Sequence, residues 1–371
     1  MAKNNTRLAS LDIFRGLTVA FMIIVNNPGS WSYVYPPLRH AEWHGCTPTD
    51  LVFPFFLFIV GVSTWYSLKK YNHEFSWGSV FRILRRTLSI FAVGLLLAVF
   101  PYFLSRDYSS LRIMGVLQRI AVAYGIGAII CLVIKGEYLW NVVAVLLLLY
   151  WGLMTMLGGA DPYSLKDNFA LVFDKAVLGE KHLYKGFGIP FDPEGLFSTL
   201  PAVCTVIIGF FTGEIIGKAE KPGKTVLTMI PIGIGLTGLG LLWNIVFPIN
   251  KPLWTSSYVL YTAGLAMILL SVIYLVADVW MLQKWGVPFL VFGTNALFSF
   301  FLAGIFTKTI LYLIKIPAGT EKISFYAWFY QKACVPLAGN LGGSLMFAII
   351  EMLIIWSISL ILYRRKIFIR L

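Results

Sequence analysis

Two histidines, His40 and His44, share one polar stretch with Glu42 and Asp50. Imidazole is the side chain whose ordinary pKa lies nearest neutrality, so a histidine beside a carboxylate suits proton transfer. The stretch, residues 26–54, reads NNPGSWSYVYPPLRHAEWHGCTPTDLVFP and lies between two apolar runs. The expected arrangement is one histidine acting as a base and one solvated bystander; spacing does not say which is which. No metal is expected, because His40 and His44, though four residues apart, lie on a loop and not on a helix carrying the HExxH motif that puts two imidazoles on one face. Cys46, Cys131, Cys204 and Cys334 form no CxxC pair either.

The elements around this stretch follow from composition. Of 371 residues, 58% are hydrophobic and 13% charged, too little polar surface for a soluble domain of this size. In a bilayer every backbone polar group needs an internal partner, so the expected fold is all-α, a polytopic membrane protein. Ten segments are apolar enough to span: approximately 11–27, 50–67, 87–104, 113–134, 139–157, 199–217, 225–247, 256–277, 287–313 and 343–363. The first run, Ile13–Val25, lacks a small-residue cleavage site and reads as a span, not a signal peptide. An even count puts both termini on one side. Short loops holding Lys3, Arg7, Arg15, Lys69, Lys70, Arg82, Arg85, Arg86, Lys135, Lys218, Lys221, Lys224, Lys284, Arg364–Lys366 and Arg370 mark that side as cytoplasmic. The chain is then one transmembrane domain, 1–371, with outer loops 27–50, 158–198, 248–255 and 314–342. The net charge of +13 reads as topology signal and attraction to anionic lipid heads, not as a nucleic-acid surface.

Ionisable groups at membrane depth are functional candidates by default. Asp12 and Arg15 have the i, i+3 spacing of a pair on one helix face. Arg119 lies inside the fourth span and needs an acidic partner, a cavity or an anionic ligand. Lys308 and Glu351 could pair across helices, and Asn244 and Asn295 are expected to make interhelical hydrogen bonds. The loop 158–198 exceeds an ordinary connection and is expected to fold as a lid or wall. SFYAWFYQK, in 314–342, reads as an interfacial aromatic belt. Cys46 and Cys334 share the outer face, where an oxidising compartment permits a disulfide.

SLDIFRG, VNNPG, RHAEWHGCTPTDLVFPFFLFIVG, RIMGVLQRIAVAY, FDPEG and PINKPLWTSSYV resemble, in order, the signature segments of the heparan-α-glucosaminide N-acetyltransferase family. The resemblance runs from about residue 7 to about residue 305. It implies a membrane core without the lysosomal enzyme's luminal segment and, through the family's bacterial members, a multi-pass protein of the bacterial inner membrane. The implied activity moves acetyl from cytosolic acetyl-CoA to the amine of a terminal glucosamine across the membrane. The implied catalytic histidine is His40, in HAEW, with His44 where the family has asparagine. The implied catalytic asparagine is Asn26, with Asn27 as a neighbour able to substitute. Relatives also imply a homodimer.

On that reading His40 deprotonates the amine and Asn26 donates to the oxyanion. Attack by His40 itself, through acetyl-histidine, is the alternative. The candidates for acetyl-CoA are Arg15, Arg82, Arg85, Arg86 and Lys284, with Arg119 lining its path. The candidates for the sugar are Asp50, Asp192, Glu194, Asn250, Lys251 and Trp254, since carboxylates suit a cationic amino sugar and Trp its apolar face. Three other readings stand beside this one: a different periplasmic glycan or muropeptide acceptor, a secondary transporter of amino sugars, and a non-catalytic lipid-binding scaffold. A transporter would be expected to show internal repeats, and none is evident.

Overall fold

The computed structural model describes residues 8–103, 107–318 and 321–369. Lys3, Arg7 and Arg370 of the basic set lie outside the described residues. Nine helices among the described residues are long and apolar enough to cross a membrane. The helices of the bundle are α1 (Ala9–Asn26), α2 (Val52–Leu68), α3 (Trp77–Val99), α4 (Val116–Val133), α5 (Gly136–Leu157), α6 (Phe169–Leu178), α7 (Thr199–Gly217), α8 (Pro222–Trp243), α9 (Ser256–Tyr274), α10 (Val287–Thr294), α11 (Ala296–Lys308), α12 (Phe325–Phe329) and α13 (Val335–Arg364). The protein is an all-α polytopic membrane protein. Its one described sheet is a small antiparallel hairpin, β1 (Lys315–Ala318) with β2 (Glu321–Ser324).

The expected span 87–104 is where the apolar count and the fold part company. Its helix starts earlier, at Trp77, with Ser76 and Ser79 forming a capping box. It therefore carries Arg82, Arg85 and Arg86 in its first half, and its apolar remainder is too short to qualify by itself. It still runs the length of the bundle antiparallel to α4, with Gly125 against Thr87 and Gly94 against Gln118. The pass expected at 287–313 is broken at Asn295. Val287–Thr294 packs across the first turns of α1, and the chain from Ala296 onward makes the crossing.

Both described ends lie at one end of the bundle. The Ala9 and Ser10 amides donate to Asp278 just beyond α9. At the other terminus Asn295 holds the tail through Ile367 O and the Ile369 amide. The segments after α2, α7 and α9, with Lys69, Lys218 and Lys284, fall at this same end, here called the basic end. The opposite end holds residues 27–50, 158–198 and 248–255.

Backbone contact between glycines sets the central packing. A Cβ on Gly61 would meet Val206 O at 2.0 Å and one on Gly209 would meet Phe58 O at 2.1 Å, so α2 and α7 touch along their main chains. Small residues at helix interfaces do this in lipid, where hydrophobicity alone does not hold helices together.

Two pairings that the sequence left open are not made. All four cysteines are free, Cys46 half-buried and Cys334 buried in the cluster around Ile310, Tyr330 and Phe347. Lys308 and Glu351 do not pair: Lys308 Nζ donates to Leu97 O, and Glu351 Oε1 accepts from Thr307. A lysine stem is long enough to reach an unsatisfied helix carbonyl, and here that partner was nearer than the carboxylate. Asp12 and Arg15 do pair, at 3.0 Å.

Candidate functional site

The sequence TPTD explains how the site is fixed. Thr47 is the N-cap of a short 3-10 turn, Pro48–Leu51, that leads into α2, and Asp50 takes the third position of its capping box. Asp50 Oδ2 accepts from the Thr47 amide and hydroxyl and from the Ala41 amide, each at 3.0 Å. Asp50 Oδ1 is left for His40 Nδ1, at 2.6 Å. Tyr258 Oη, from α9, donates to the Asp50 carbonyl at 2.5 Å. The carboxylate is buried while the His40 side chain is 38% exposed.

Lys251 Nζ lies 3.1 Å from His40 Nδ1 and 3.5 Å from Asp50 Oδ1. One ring nitrogen makes one in-plane hydrogen bond. The shorter contact, to the carboxylate, assigns the Nδ1 proton to Asp50 and leaves Nε2 as the acceptor. Lys251 then acts on the pair by its charge. Burial pulls the Lys251 ammonium's pKa below its ordinary value, against the opposing pull of Asp50 and Glu194.

Asn250 ties the His40 loop to the turn after α8. Its Nδ2 donates to Trp43 O at 2.9 Å and its Oδ1 accepts from the Leu253 amide at 2.7 Å, while the Gly45 amide donates to Ile249 O at 2.7 Å. Trp43 is gripped from the long loop, with Nε1 donating to Tyr163 O and Phe187 and Phe191 edge-on to its ring. Residues 158–198 thus form a wall against the loop that carries both histidines. His44 stands apart from the carboxylate, with its ring edge-on to Trp43 and its Nδ1 3.4 Å from Asn250 Nδ2. Burial of part of its ring lowers its pKa, against the charge of Asp161. Glu42 is exposed.

A second charged group lies in the same wall. Arg112 forks onto Asp192 Oδ1 and Oδ2 at 2.6 and 2.9 Å and onto Glu194 Oε2 at 2.5 Å. Burial pushes the Glu194 carboxyl up, but Arg112, Arg119 and Lys251 outweigh it and hold it below the ordinary range. Next to them Asp174 accepts the Phe197 amide at 3.0 Å. Burial pushes its carboxyl up to about 6, against that hydrogen bond and the Arg119 charge. Gly195 is required here, since a Cβ would lie 1.8 Å from Asp174 Oδ2.

The remaining sequence candidates divide by end. Arg119 is at the His40 end, away from the basic end: fully buried, it donates to Gly195 O and Ser198 Oγ and lies over the Trp254 ring at 5.0 Å. Trp254 is itself fully buried, with Phe53 and Tyr258 edge-on and Nε1 toward Thr205. It has no face free for a sugar. Asp192 and Asn250 are likewise buried and spoken for by protein partners. At the basic end Arg82, Arg85 and Lys284 are exposed, and Arg86 lies over the Tyr124 ring at 4.8 Å. Arg15 is committed to Asp12, Gly293 O and Ser63. Asn26 ends α1 with an exposed side chain that makes no hydrogen bond among the described residues. No group of three or more His, Cys, Asp or Glu suited to a metal occurs among the described residues. Sequence reasoning passed over Arg112, Asp174 and Tyr258. Only the i, i+3 TPTD pattern offered a local signal, and it pointed to Asp50.

Fold and site together define a polytopic membrane protein with a carboxylate-held histidine at the end of the bundle opposite its basic end. A family model described as "Heparan-alpha-glucosaminide N-acetyltransferase, catalytic" matches residues 7–241, and the chain belongs to that family. Curated relatives include heparan-alpha-glucosaminide N-acetyltransferase of Homo sapiens, 29% identical over 349 residues, and that of Mus musculus, 27% identical over 347. Each match covers 78% of this chain and 52% of the relative, so the chain spans about half the length of the curated relatives it matches.

Proposed function

We propose that the protein transfers acetyl from acetyl-CoA, bound from the basic end, to the amine of a terminal glucosamine or related amino sugar at the His40 end. With the basic end in the cytoplasm of a bacterial inner membrane, the acceptor is periplasmic. The observation that carries the reading is the 2.6 Å contact between His40 Nδ1 and the buried Asp50 carboxylate, within a chain of this family. A carboxylate on Nδ1 fixes the tautomer that leaves Nε2 basic, the logic by which triads orient their histidine.

An ammonium is no nucleophile, so the sugar amine must lose a proton before or during attack. His40 Nε2 accepts it, a contribution of about 10²–10⁴-fold in rate. Asn26, whose side chain makes no hydrogen bond among the described residues, supplies an amide N–H to the thioester oxygen as it becomes an oxyanion. Transfer is direct, within a ternary complex, because one histidine at a shared site suffices: the amine nitrogen bonds the acetyl carbon, the C–S bond breaks as the oxyanion collapses, and CoA leaves as a thiol with the proton returned by His40. From Asp50 to Leu68, α2 rises on the order of 27 Å. The thin pantetheine arm must cover that span while the nucleotide stays near Arg82, Arg85, Arg86 and Lys284.

Acetyl transfer from radiolabelled acetyl-CoA to glucosamine by purified wild type and His40→Ala tests the proposal. Label on the sugar with wild type and none with His40→Ala is the expected result. Undiminished transfer by His40→Ala would move the base elsewhere. Acetyl-CoA binding without transfer would reject glucosamine as the acceptor.

A further inference from the structure

Glu351 is 2% exposed within α13, and its Oε2 has no hydrogen-bond partner. Its Oε1 lies 2.5 Å from Thr307 Oγ1. Thr307 Oγ1 is also 3.0 Å from Asn27 Oδ1 and 2.9 Å from Ala303 O. Asn27 Nδ2 donates to Ile23 O at 2.9 Å, which fixes its amide with Oδ1 toward Thr307. One hydroxyl proton therefore faces three acceptor oxygens, and a single proton cannot serve all three.

A proton on Glu351 removes one of the three claims, and Ala303 O, four residues before Thr307 within α11, has a helix amide to accept from. Glu351 Oε1–H then donates to Thr307, Thr307 donates to Asn27 Oδ1, and Asn27 donates to Ile23 O in the last turn of α1. A 2.5 Å separation is at the short end for such an O–H···O bond. An ionised carboxylate would instead be a buried charge with no cation beside it. Lys308 points its ammonium at Leu97 O, α10 offers no titratable side chain, and the Tyr326 phenol of α12 is spent on Pro28 O.

We propose that protonated Glu351, acting through Thr307 and Asn27, is a positioning residue that fixes the end of α1 and so aims Asn26. Asn26 is the residue immediately before Asn27 and the last of α1. The chain of hydrogen bonds joins α13 and α11 to the last turn of α1, so the setting of that turn depends on one proton. The proposal rests on the reading of Asn26 given above.

The test uses the full chain in lipid nanodiscs, with two readouts. Infrared difference spectra of wild type minus Glu351→Gln should contain a carboxylic-acid C=O band at neutral pH. In acetyl transfer to glucosamine, Glu351→Gln, which keeps a neutral donor, should hold kcat within about threefold of wild type. Thr307→Val and Glu351→Ala should lose about tenfold or more in kcat, with KM for acetyl-CoA unchanged, as for a misaimed oxyanion donor. Thr307→Val keeps the α-helical volume, so the test does not depend on Glu351→Ala folding. Absence of the band, or equal damage by Gln and Ala, would overturn the proposal. Wild type that binds acetyl-CoA but transfers nothing would reject glucosamine as the acceptor, and the infrared band would then decide the proposal. The band would still report the proton on its own.

Discussion

Asp50 holds His40 with one carboxylate oxygen and caps the entry to α2 with the other. The same four atoms thus start a membrane helix and set a histidine tautomer, so the two tasks cannot be varied independently. Asp50→Asn keeps the shape but replaces one acceptor oxygen by a donor. Acetyl transfer should fall by about 10²–10⁴-fold, and stability by about 1–3 kcal/mol from the lost acceptor. Steady-state rates and thermal unfolding of the same preparation separate the two effects. Full activity in Asp50→Asn would remove the carboxylate from the mechanism.

Asp174 makes the wall sensitive to pH. Its folded pKa of about 6 lies above its ordinary value of 3.8. The folded protein therefore binds the proton more tightly than the unfolded chain, and this group's contribution to stability falls as pH rises from about 4 through 6. The difference corresponds to on the order of 3 kcal/mol. Asp174→Asn, whose Oδ1 can still accept the Phe197 amide, should unfold at higher temperature than wild type at pH 7.5. The advantage should shrink at pH 5, in melting curves followed by tryptophan fluorescence. A wild type and variant that keep the same spacing at both pH values would show that Asp174 does not titrate.

Arg112 is the only cation within salt-bridge distance of Asp192 among the described residues. Arg112→Ala leaves two carboxylates unpaired in the wall, with Asp192 fully buried. The expected loss is about 2–4 kcal/mol, discounted for the partly exposed guanidinium. Combining it with Asp192→Asn and Glu194→Gln should recover part of that loss in the same unfolding assay, because no unpaired charge then remains. Failure of the triple variant to recover would mean that Arg112 stabilises by packing on Tyr184 rather than by charge.

Gly195→Ala should be among the most disruptive one-carbon changes at this end, because a Cβ there overlaps Asp174 Oδ2. The loop must shift, at about 1–3 kcal/mol, and Arg119 loses its Gly195 acceptor. Trypsin sensitivity of the 158–198 segment should increase; unchanged cleavage would place the strain elsewhere.

Much of this was legible in the sequence. Apolar runs long enough to span located the helices, and their flanking lysines and arginines foretold the basic end, because lipid enforces both rules residue by residue. Local reading missed the capping box in TPTD, which commits Asp50, expected among the sugar candidates, to the turn before α2. It also failed where two remote segments had to meet. Nothing in the spacing of Lys308 and Glu351 shows that one prefers Leu97 O and the other Thr307. Nothing around Trp254 shows that Arg119 covers its ring.

The sequence by itself determined that the chain is a helical membrane protein with its polar chemistry gathered at one end. Hydropathy and charge placement are sums over neighbours in the chain, and they need no tertiary contact to act. Only the tertiary structure decided which histidine meets a carboxylate, that Lys251 joins that pair, and that Trp254 and Asp192 are buried. Those outcomes depend on loops 27–50, 158–198 and 248–255 closing on one another, and residues 40, 50 and 251 become neighbours only when they do.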